Sequence, residues 1–134
     1  RSRTRLHNRI FRMNEAGFSR YLAGHLQKLG GVIQRLEVTT GAGVPDMVLL
    51  HSGHTHWIEL KWNTKHIRPE QYVWGIKANI TGVTVNYAVG YDDRIELYIV
   101  HDAIPMAKSF KLTELITTIP RKKEHIPELL THLK

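Results

Sequence analysis

Apolar residues recur along the first half of the chain with two different spacings, which predict a helix followed by strands. Between Asn14 and Leu29 they are spaced by four, four and three residues, as on one face of a helix. Asn14 suits the N-cap, and Gly30 and Gly31 are expected to end this helix. Three strands are expected next, over Val32–Val38, Met47–Leu50 and His56–Lys61.

The second half of the chain predicts another helix, two strands and two short helices. The helix begins near Arg68, where Pro69 suits its first turn, and ends at Gly82. Two strands are expected over Val83–Val89 and Ile95–Val100, and helical spacing recurs over Leu112–Ile119 and Ile126–Leu133. We therefore expect one α/β domain over residues 13–134, with a mixed central sheet flanked by helices, after an N-terminal arm of residues 1–12.

Composition supports an ordered domain. The chain has 134 residues, 42% of them hydrophobic and 23% charged, which is typical of globular proteins. No apolar run approaches the roughly 20 residues that cross a bilayer. Cysteine is absent, which excludes disulfides and thiolate zinc sites and is compatible with a reducing cytoplasm.

The net charge of +7 is concentrated at one end of the chain. Residues 1–35 contain eight Lys and Arg residues and a single acid, Glu15, whereas the remaining residues hold eleven bases and eleven acids. The arm suits a phosphate backbone, because each neutralised phosphate releases counterions. A solvated, frayed terminus explains the same charge equally well. The candidate DNA-binding residues of the arm are Arg3, Arg5, Arg9 and Arg12.

The strongest chemical signal is an acidic pair on two neighbouring predicted strands. A hairpin at Ser52 and Gly53 sets Asp46 beside Glu59, and strand alternation puts Lys61 on the same face as Glu59. Two close carboxylates repel each other unless a hard divalent cation lies between them. Such a site suits phosphodiester hydrolysis. The alternative is a turn acid and an ordinary Glu–Lys pair, although such residues are rarely buried in an apolar strand without a partner or a function.

Three motifs in this part of the chain resemble the PD-(D/E)XK nuclease superfamily. They are Gly43-Val44-Pro45-Asp46-Met47-Val48-Leu49-Leu50, Trp57-Ile58-Glu59-Leu60-Lys61 and Arg68-Pro69-Glu70-Gln71. Within the superfamily they are most similar to the VRR-NUC group, which includes small stand-alone phage and bacterial nucleases. The resemblance covers roughly residues 14–90. It implies a restriction-endonuclease-like core. It also implies a location in the cytoplasm of a bacterium or of a phage-infected host.

The resemblance also implies roles for individual residues. Asp46 and Glu59 would be ligands of Mg²⁺ or Mn²⁺, and the Leu60 carbonyl would be a third ligand. Lys61 would be the catalytic lysine. Gln71, early in the second helix, matches the family's motif glutamine and would support the site.

The family further places an acid on its first helix, where Glu15 is the only one available. Glu15 lies three residues before Phe18 and so falls on the apolar stripe of the helix. The alternative interpretation is that Glu15 is a first-turn acid that complements the helix dipole. Lys65 and Arg68 follow the catalytic strand. They are candidates to hold the scissile phosphate or a neighbouring one, or they belong to a solvated loop.

These inferences predict a metal-dependent DNA endonuclease, with four-way junctions as the expected substrate. Symmetrical double cutting by so short a chain requires a homodimer, and its interface is expected at Ile95–Val100 or the C-terminal helices. The alternatives are a restriction-like, flap or nicking nuclease, and a non-catalytic DNA-binding module on the same fold. No phosphate-binding loop or dinucleotide fingerprint supports a nucleotide-binding enzyme.

Two further groups of residues have a structural and a functional interpretation. Three histidines lie close together, at His51, His54 and His56. We expect an exposed hairpin tip there rather than a metal site. We expect Tyr72, Trp74 and Tyr87 in the core rather than as platforms for base stacking.

Overall fold

The computed structural model describes residues 13–36 and 42–134, so the predicted arm and residues 37–41, which include the end of the first predicted strand, lie outside the described residues. The helices are α1 (Glu15–Lys28), α2 (Pro69–Ile80) and α3 (Ile126–His132), with a short 3-10 helix at Lys123–His125. The strands are β1 (Val32–Arg35), β2 (Met47–His51), β3 (His54–Trp62), β4 (His66–Ile67), β5 (Val85–Gly90), β6 (Arg94–Pro105) and β7 (Phe110–Pro120).

All seven strands form one sheet in the order β1-β2-β3-β5-β6-β7-β4. The β3–β5 pair is parallel and the other pairs are antiparallel, so the sheet is mixed, as predicted. Helices α1 and α3 cover one face, which we call the α1 face, and α2 packs on the other, the α2 face. Each face therefore has its own apolar core.

Helix α1 forms where the sequence predicts it. The Asn14 side chain accepts a hydrogen bond from the Gly17 backbone N–H at 2.8 Å, which caps the first turn. The apolar stripe of Phe18, Leu22 and Leu26 is fully buried against the sheet. None of the helices within the described ranges is long and apolar enough to cross a membrane.

Strands β2 and β3 form a tight hairpin that sets the register of the candidate site. Ser52 and Gly53 both have positive φ angles, of 50° and 78°, as a two-residue primed turn requires. His51 pairs with His54, and further along the hairpin Met47 pairs with Ile58. The predicted turn is thus confirmed.

The helix predicted over Leu112–Ile119 is wrong, because this segment lies within β7 and pairs with β6. Leu112 packs in the core of the α2 face, whereas Ile119 packs in the core of the α1 face. A strand with one buried residue on each face, and a register shift in its pairing, produces apolar spacings that imitate a helix. The adjacent β-branched residues Thr117 and Thr118 favour the extended conformation.

The segment Ile95–Val100 is the centre of β6, and all six residues are buried within this chain. It therefore cannot supply the dimer interface expected from its apolar sequence. The helix predicted over Ile126–Leu133 is confirmed as α3, whose Ile126 and Leu129 side chains belong to the core of the α1 face.

Strand β4 closes the sheet in a way that the sequence did not suggest. It follows β3 after only three residues, Asn63–Lys65, yet it pairs with β7 at the far edge. Three connecting residues reach at most about 14 Å. The sheet must therefore curl until its far edge returns to the end of β3, which places the start of α2 beside that end.

Candidate active site

The two predicted carboxylates meet where β2 and β3 leave their ladder. Met47 pairs with Ile58, so the same register continued by one residue sets Asp46 opposite Glu59. The Glu59 side chain is only 2% exposed. Burial raises the pKa of Glu59 to about 9, and the nearby Asp46 carboxylate adds to the rise while Lys61 opposes it. The two carboxylates are therefore close neighbours.

The backbone of Leu60 also contributes to this corner. Its N–H donates to the Asp46 Oδ2 atom at 2.8 Å, which fixes the Asp46 side chain. The continued register places Pro45 opposite Leu60. Because proline has no backbone N–H, this ladder position offers no donor to the Leu60 carbonyl. A Pro-Asp pair at the start of β2 therefore supplies one carboxylate and leaves a neighbouring carbonyl without its ladder donor.

Gln71 in the first turn of α2 connects the helix to the site. Its Nε2 donates to Glu59 Oε2 at 2.8 Å, and its Oε1 accepts the Arg68 backbone N–H at 2.8 Å. The Gln71 side chain is thereby held at both ends and is buried. The other oxygen of Glu59, Oε1, is buried and has no hydrogen-bond partner.

Gly43 fixes the loop before Asp46 against α2. Its φ is +77°, and a Cβ atom there would lie 2.0 Å from the Glu70 carbonyl oxygen and 2.7 Å from the Gln71 nitrogen. Only glycine allows this approach. The chain segments that carry Asp46 and Gln71 are therefore in direct contact.

Glu15, Lys61 and Arg68 form the charged surroundings of the pair. The pKa of Glu15 is raised, mainly because the side chain is partly desolvated. The cation of Lys61 opposes the rise, the carboxylate of Asp46 adds to it, and the cation of Arg68 opposes it. Since Lys61 acts on Glu15 and on Glu59 alike, its ammonium lies among the carboxylates. The sequence thus identified an acid on α1 that the fold brings to the site.

A cavity of about 280 Å³ opens over this corner. Its lining residues are Glu15, Ala16, Ser19, Arg35, Leu36, Asp46 and Leu60. Arg35 donates to the Ser19 hydroxyl and adds a cation to the wall. Sequence reasoning did not single out these two residues, because a basic residue at a strand end and a serine on a helix carry no distinctive signal.

The residues fit a hard divalent cation. The donor set is two carboxylates and a backbone carbonyl, all oxygen, as Mg²⁺ and Mn²⁺ prefer. The buried Glu59 Oε1 atom lacks a partner that such a cation would provide. Across the described ranges no three His, Cys, Asp or Glu side chains cluster as a metal site. Asp46 and Glu59 therefore remain the two predicted side-chain ligands of the cation, and Glu15 does not join them as a third.

The predicted DNA-binding residues have different positions. Arg3, Arg5, Arg9 and Arg12 lie outside the described residues. Arg68 is exposed at the start of α2 and pairs with Glu70 at 3.3 Å, within reach of the site. Lys65 is half-buried, and its charge acts on Glu96. Its carbonyl accepts a hydrogen bond from the Leu112 N–H at 2.8 Å. Lys65 is thus part of the sheet closure rather than a free loop.

The three histidines do not converge. His51 Nε2 contacts the Leu29 carbonyl at 3.1 Å, and His56 Nδ1 contacts the Lys134 carbonyl at 2.8 Å. His54 is exposed at the hairpin tip, and its ring centre lies 6.1 Å from that of His56. The arrangement favours the hairpin tip over a zinc site.

The aromatic residues divide into two groups. Tyr87 is buried in the core, as predicted, and Tyr72 stacks on Phe110 with ring centres 4.0 Å apart. Trp74 is only half-buried, and it lines an open cavity together with Trp57. Trp74 thus packs against the core of the α2 face, like Tyr72, and also forms part of the wall of this cavity.

With this geometry in place, the chain can be compared with known proteins. No protein-family model and no curated protein matches the sequence. Solved structures show that the chain has the restriction-endonuclease-like fold. One of them is Hjc, a Holliday junction resolvase from the archaeal hyperthermophile Archaeoglobus fulgidus. It matches with a TM-score of 0.54 and 18% sequence identity, over 79% of this chain and 88% of the resolvase. The predicted fold class is thereby confirmed.

Proposed function

We propose that this protein is a metal-dependent DNA endonuclease that cuts branched DNA, with the four-way junction as its principal substrate. One observation carries the proposal: a buried carboxylate, Glu59, has an unpartnered oxygen beside Asp46 and within the field of Lys61. A fold without a ligand for that oxygen would keep a destabilising group in its interior. The likeness to a Holliday junction resolvase supports the choice of reaction and substrate.

Asp46 and Glu59 would hold Mg²⁺ or Mn²⁺ together with the Leu60 carbonyl. A bound cation of this kind polarises a phosphoryl oxygen and lowers the pKa of water. Asp46 is kept in place by the Leu60 N–H, and Glu59 by the amide of Gln71. These fixed positions matter, because loosely held groups lose much of their effect on a reaction.

Lys61 would hold the scissile phosphate and stabilise the charge that develops on its oxygens. Its charge acts on Glu15 and on Glu59, so the ammonium lies beside the place where the cation would be held. Glu15 would orient the attacking water or a second cation from the α1 side of the cavity. Arg68 would hold a flanking phosphate.

Junction resolution requires two coordinated cuts, and one chain provides one site. The proposal therefore includes a homodimer with two-fold symmetry. Light scattering at micromolar concentration should give twice the chain mass of 15.5 kDa, and a monomeric mass would contradict the dimer. We also propose that the protein belongs to the VRR-NUC group of this superfamily. This assignment is supported by the three sequence motifs alone.

The decisive experiment incubates the protein and Mg²⁺ or Mn²⁺ with end-labelled four-way junction, flap, single-stranded and linear duplex DNA. Lys61→Ala is the inactive variant. Lys28→Ala, an exposed lysine at the other end of α1, is the matched control. We expect paired, symmetrical nicks in the junction that are lost in Lys61→Ala, retained in Lys28→Ala and abolished by EDTA.

Other outcomes distinguish the alternatives. Cutting of flaps or linear DNA with the same dependence on Lys61 would retain the catalytic site and change the substrate. Tight binding without any metal-dependent cleavage would favour a non-catalytic DNA-binding module.

The N-terminal arm has a separate test. Deleting residues 1–12 removes five arginines, so DNA binding should weaken and depend less steeply on salt concentration. The measurement is the dissociation constant at several salt concentrations. An unchanged slope would refute a role of the arm in phosphate binding.

A further inference from the structure

An open cavity of about 320 Å³ lies on the α2 face, separate from the carboxylate corner. Its lining residues are Trp57, Trp74, Lys77, Ala78, Thr81 and Val83, and we call it the tryptophan pocket. The ring centres of the two tryptophans are 5.5 Å apart, with an angle of 46° between the ring planes. Both side chains are half-buried, so each presents part of its ring to the opening.

The walls of the tryptophan pocket are attached to residues of the candidate active site. Trp57 lies two residues before Glu59 on β3 and on the same face, about 7 Å along the strand. Trp74 lies three residues after Gln71 on α2, which makes them neighbours on the helix surface. The pocket is therefore built on the two elements that carry Glu59 and Gln71, and it extends from Trp57 and Trp74 towards the far end of α2 at Thr81 and Val83.

The chemistry of the pocket is apolar and aromatic with one charge. Lys77 is the single ionisable side chain among the lining residues, and it is exposed. The Thr81 hydroxyl donates to the Ala78 carbonyl at 2.6 Å, so its hydrogen is not available to a ligand in the pocket. A ligand for this pocket has a flat apolar face and carries negative charge beside it.

We propose that the tryptophan pocket receives an unpaired nucleobase of the DNA substrate, with Lys77 contacting the phosphate next to that base. This inference rests on the proposed function, since it takes branched DNA as the substrate. Every base offers a π-face to an indole ring, so stacking of this kind does not depend on sequence. A base at a branch point is more easily unstacked than one within a duplex. The pocket would thus help to select branched DNA and to hold one of its strands against α2.

The charge of the opening favours DNA over a second copy of this chain as the occupant. Lys77 contributes a cation to the rim, and no acid lines the pocket. The neighbouring candidate site is already adapted to phosphate by Lys61 and Arg68. A nucleotide satisfies both the aromatic wall and the cation.

The test measures binding in the Lys61→Ala background with Ca²⁺, so that the DNA stays intact. Trp74→Leu removes one wall of the pocket. Junctions are prepared with normal nucleotides or with an abasic site at the branch point. We expect Trp74→Leu to weaken binding of the normal junction about tenfold, and to have no effect on the junction that lacks the branch-point base.

Fluorescence gives a second readout. The chain has three tryptophans, Trp57, Trp62 and Trp74, so Trp62→Phe leaves only the pocket residues. Their emission should be quenched by the normal junction and not by the abasic one. Lys77→Glu, an exposed change that leaves the fold intact, should weaken junction binding, and Lys28→Glu is its matched control.

Each contrary outcome overturns the inference. If Trp74→Leu weakens both junctions equally, the pocket does not receive the base. If the pocket emission changes with protein concentration in the absence of DNA, a second copy covers it instead. If these variants leave junction binding unchanged in the Lys61→Ala background, and the protein with Lys61 intact cuts junctions, the pocket proposal fails and the proposed function stands. If no DNA is bound, both proposals fail.

Discussion

Two buried acids lie on the same face of the sheet, and their surroundings are opposite. Glu96 on β6 receives the Tyr98 hydroxyl at 2.7 Å on one oxygen and the Arg94 Nε–H at 3.0 Å on the other. Glu59 on β3 receives Gln71 on one oxygen, and its other oxygen has no partner. One carboxylate is fully satisfied by the protein, and the other is left incomplete.

The pKa values follow this difference. Desolvation acts to raise the pKa of Glu96, but the hydrogen bonds from Tyr98 and Arg94 outweigh it, so the pKa is lowered. Burial raises the pKa of Glu59 to about 9. A buried acid with all its bonds supplied by neighbours stabilises structure. A buried acid with an open oxygen destabilises the protein until a ligand binds, which is typical of a functional group.

The largest expected effect concerns cleavage. Glu59→Gln should reduce cleavage of a four-way junction roughly a thousandfold or more, because it removes a charged oxygen ligand. Glu96→Gln should change cleavage by less than about threefold, since Glu96 has its own protein partners. The measurement is single-turnover cleavage at saturating metal. Equal losses in both variants would contradict the distinction between the two acids.

The next effect concerns the residue that positions Glu59. Gln71→Ala should lower cleavage about 10- to 100-fold and raise the metal concentration needed for half-maximal rate, because Glu59 loses its remaining donor. Titrations of Mg²⁺ and Mn²⁺ at fixed DNA check this. Gln27→Ala, an exposed glutamine on α1, is the matched control. An unchanged metal requirement would refute the positioning role.

A third difference concerns stability without metal. Glu96→Gln should lower the free energy of unfolding by about 1–3 kcal/mol, because a neutral amide replaces the carboxylate that pairs with Arg94. Glu59→Gln should be neutral or stabilising, since a neutral amide is easier to bury than an open carboxylate. Urea unfolding in EDTA measures both. A comparable destabilisation by the two variants would show that Glu59 is satisfied like Glu96.

The last prediction concerns the pH dependence of stability in EDTA. The folded pKa of Glu59 lies above its ordinary value of 4.5, so its protonated form favours folding. Stability should therefore fall as pH rises from about 4.5 towards 9. The folded pKa of Glu96 is lowered, so its contribution is lost as pH falls below 4.5. Glu59→Gln should remove the decline on the alkaline side alone, and its persistence in that variant would assign it to another group.

The elements that position the site could be predicted because their signals are local. The stripe of Phe18, Leu22 and Leu26 with the Asn14 cap specifies α1 without any distant contact. The Ser52-Gly53 turn fixes the β2–β3 register in the same way. Leu112 and Ile119 misled the prediction, because they are buried on opposite faces of a strand. Only the pairing with β6 reveals that difference, and β4 was missed because its partner is distant in sequence.

The candidate site was predictable to the same extent. The motif spacing indicated that Asp46, Glu59 and Lys61 meet, and the structure brings them together, while their catalytic roles stay predictions. The Gly43 contact with α2 depends on tertiary structure and leaves no mark in the sequence beyond a glycine. The tryptophan pocket was not predicted, because the spacing of apolar residues does not distinguish a half-buried tryptophan from a fully buried one.

The pairing of β4 with β7 has a consequence for the order in which the protein matures. During translation, Asp46, Glu59, Lys61 and Gln71 all emerge from the ribosome well before Phe110 begins β7. Until then β4 has no partner strand, and the start of α2 lacks the contact that holds it beside β3. We expect stalled nascent chains that end before Phe110 to leave junction DNA uncut, and chains that extend through β7 and α3 to cut it. The candidate site is therefore completed late, only after β7 has left the ribosome.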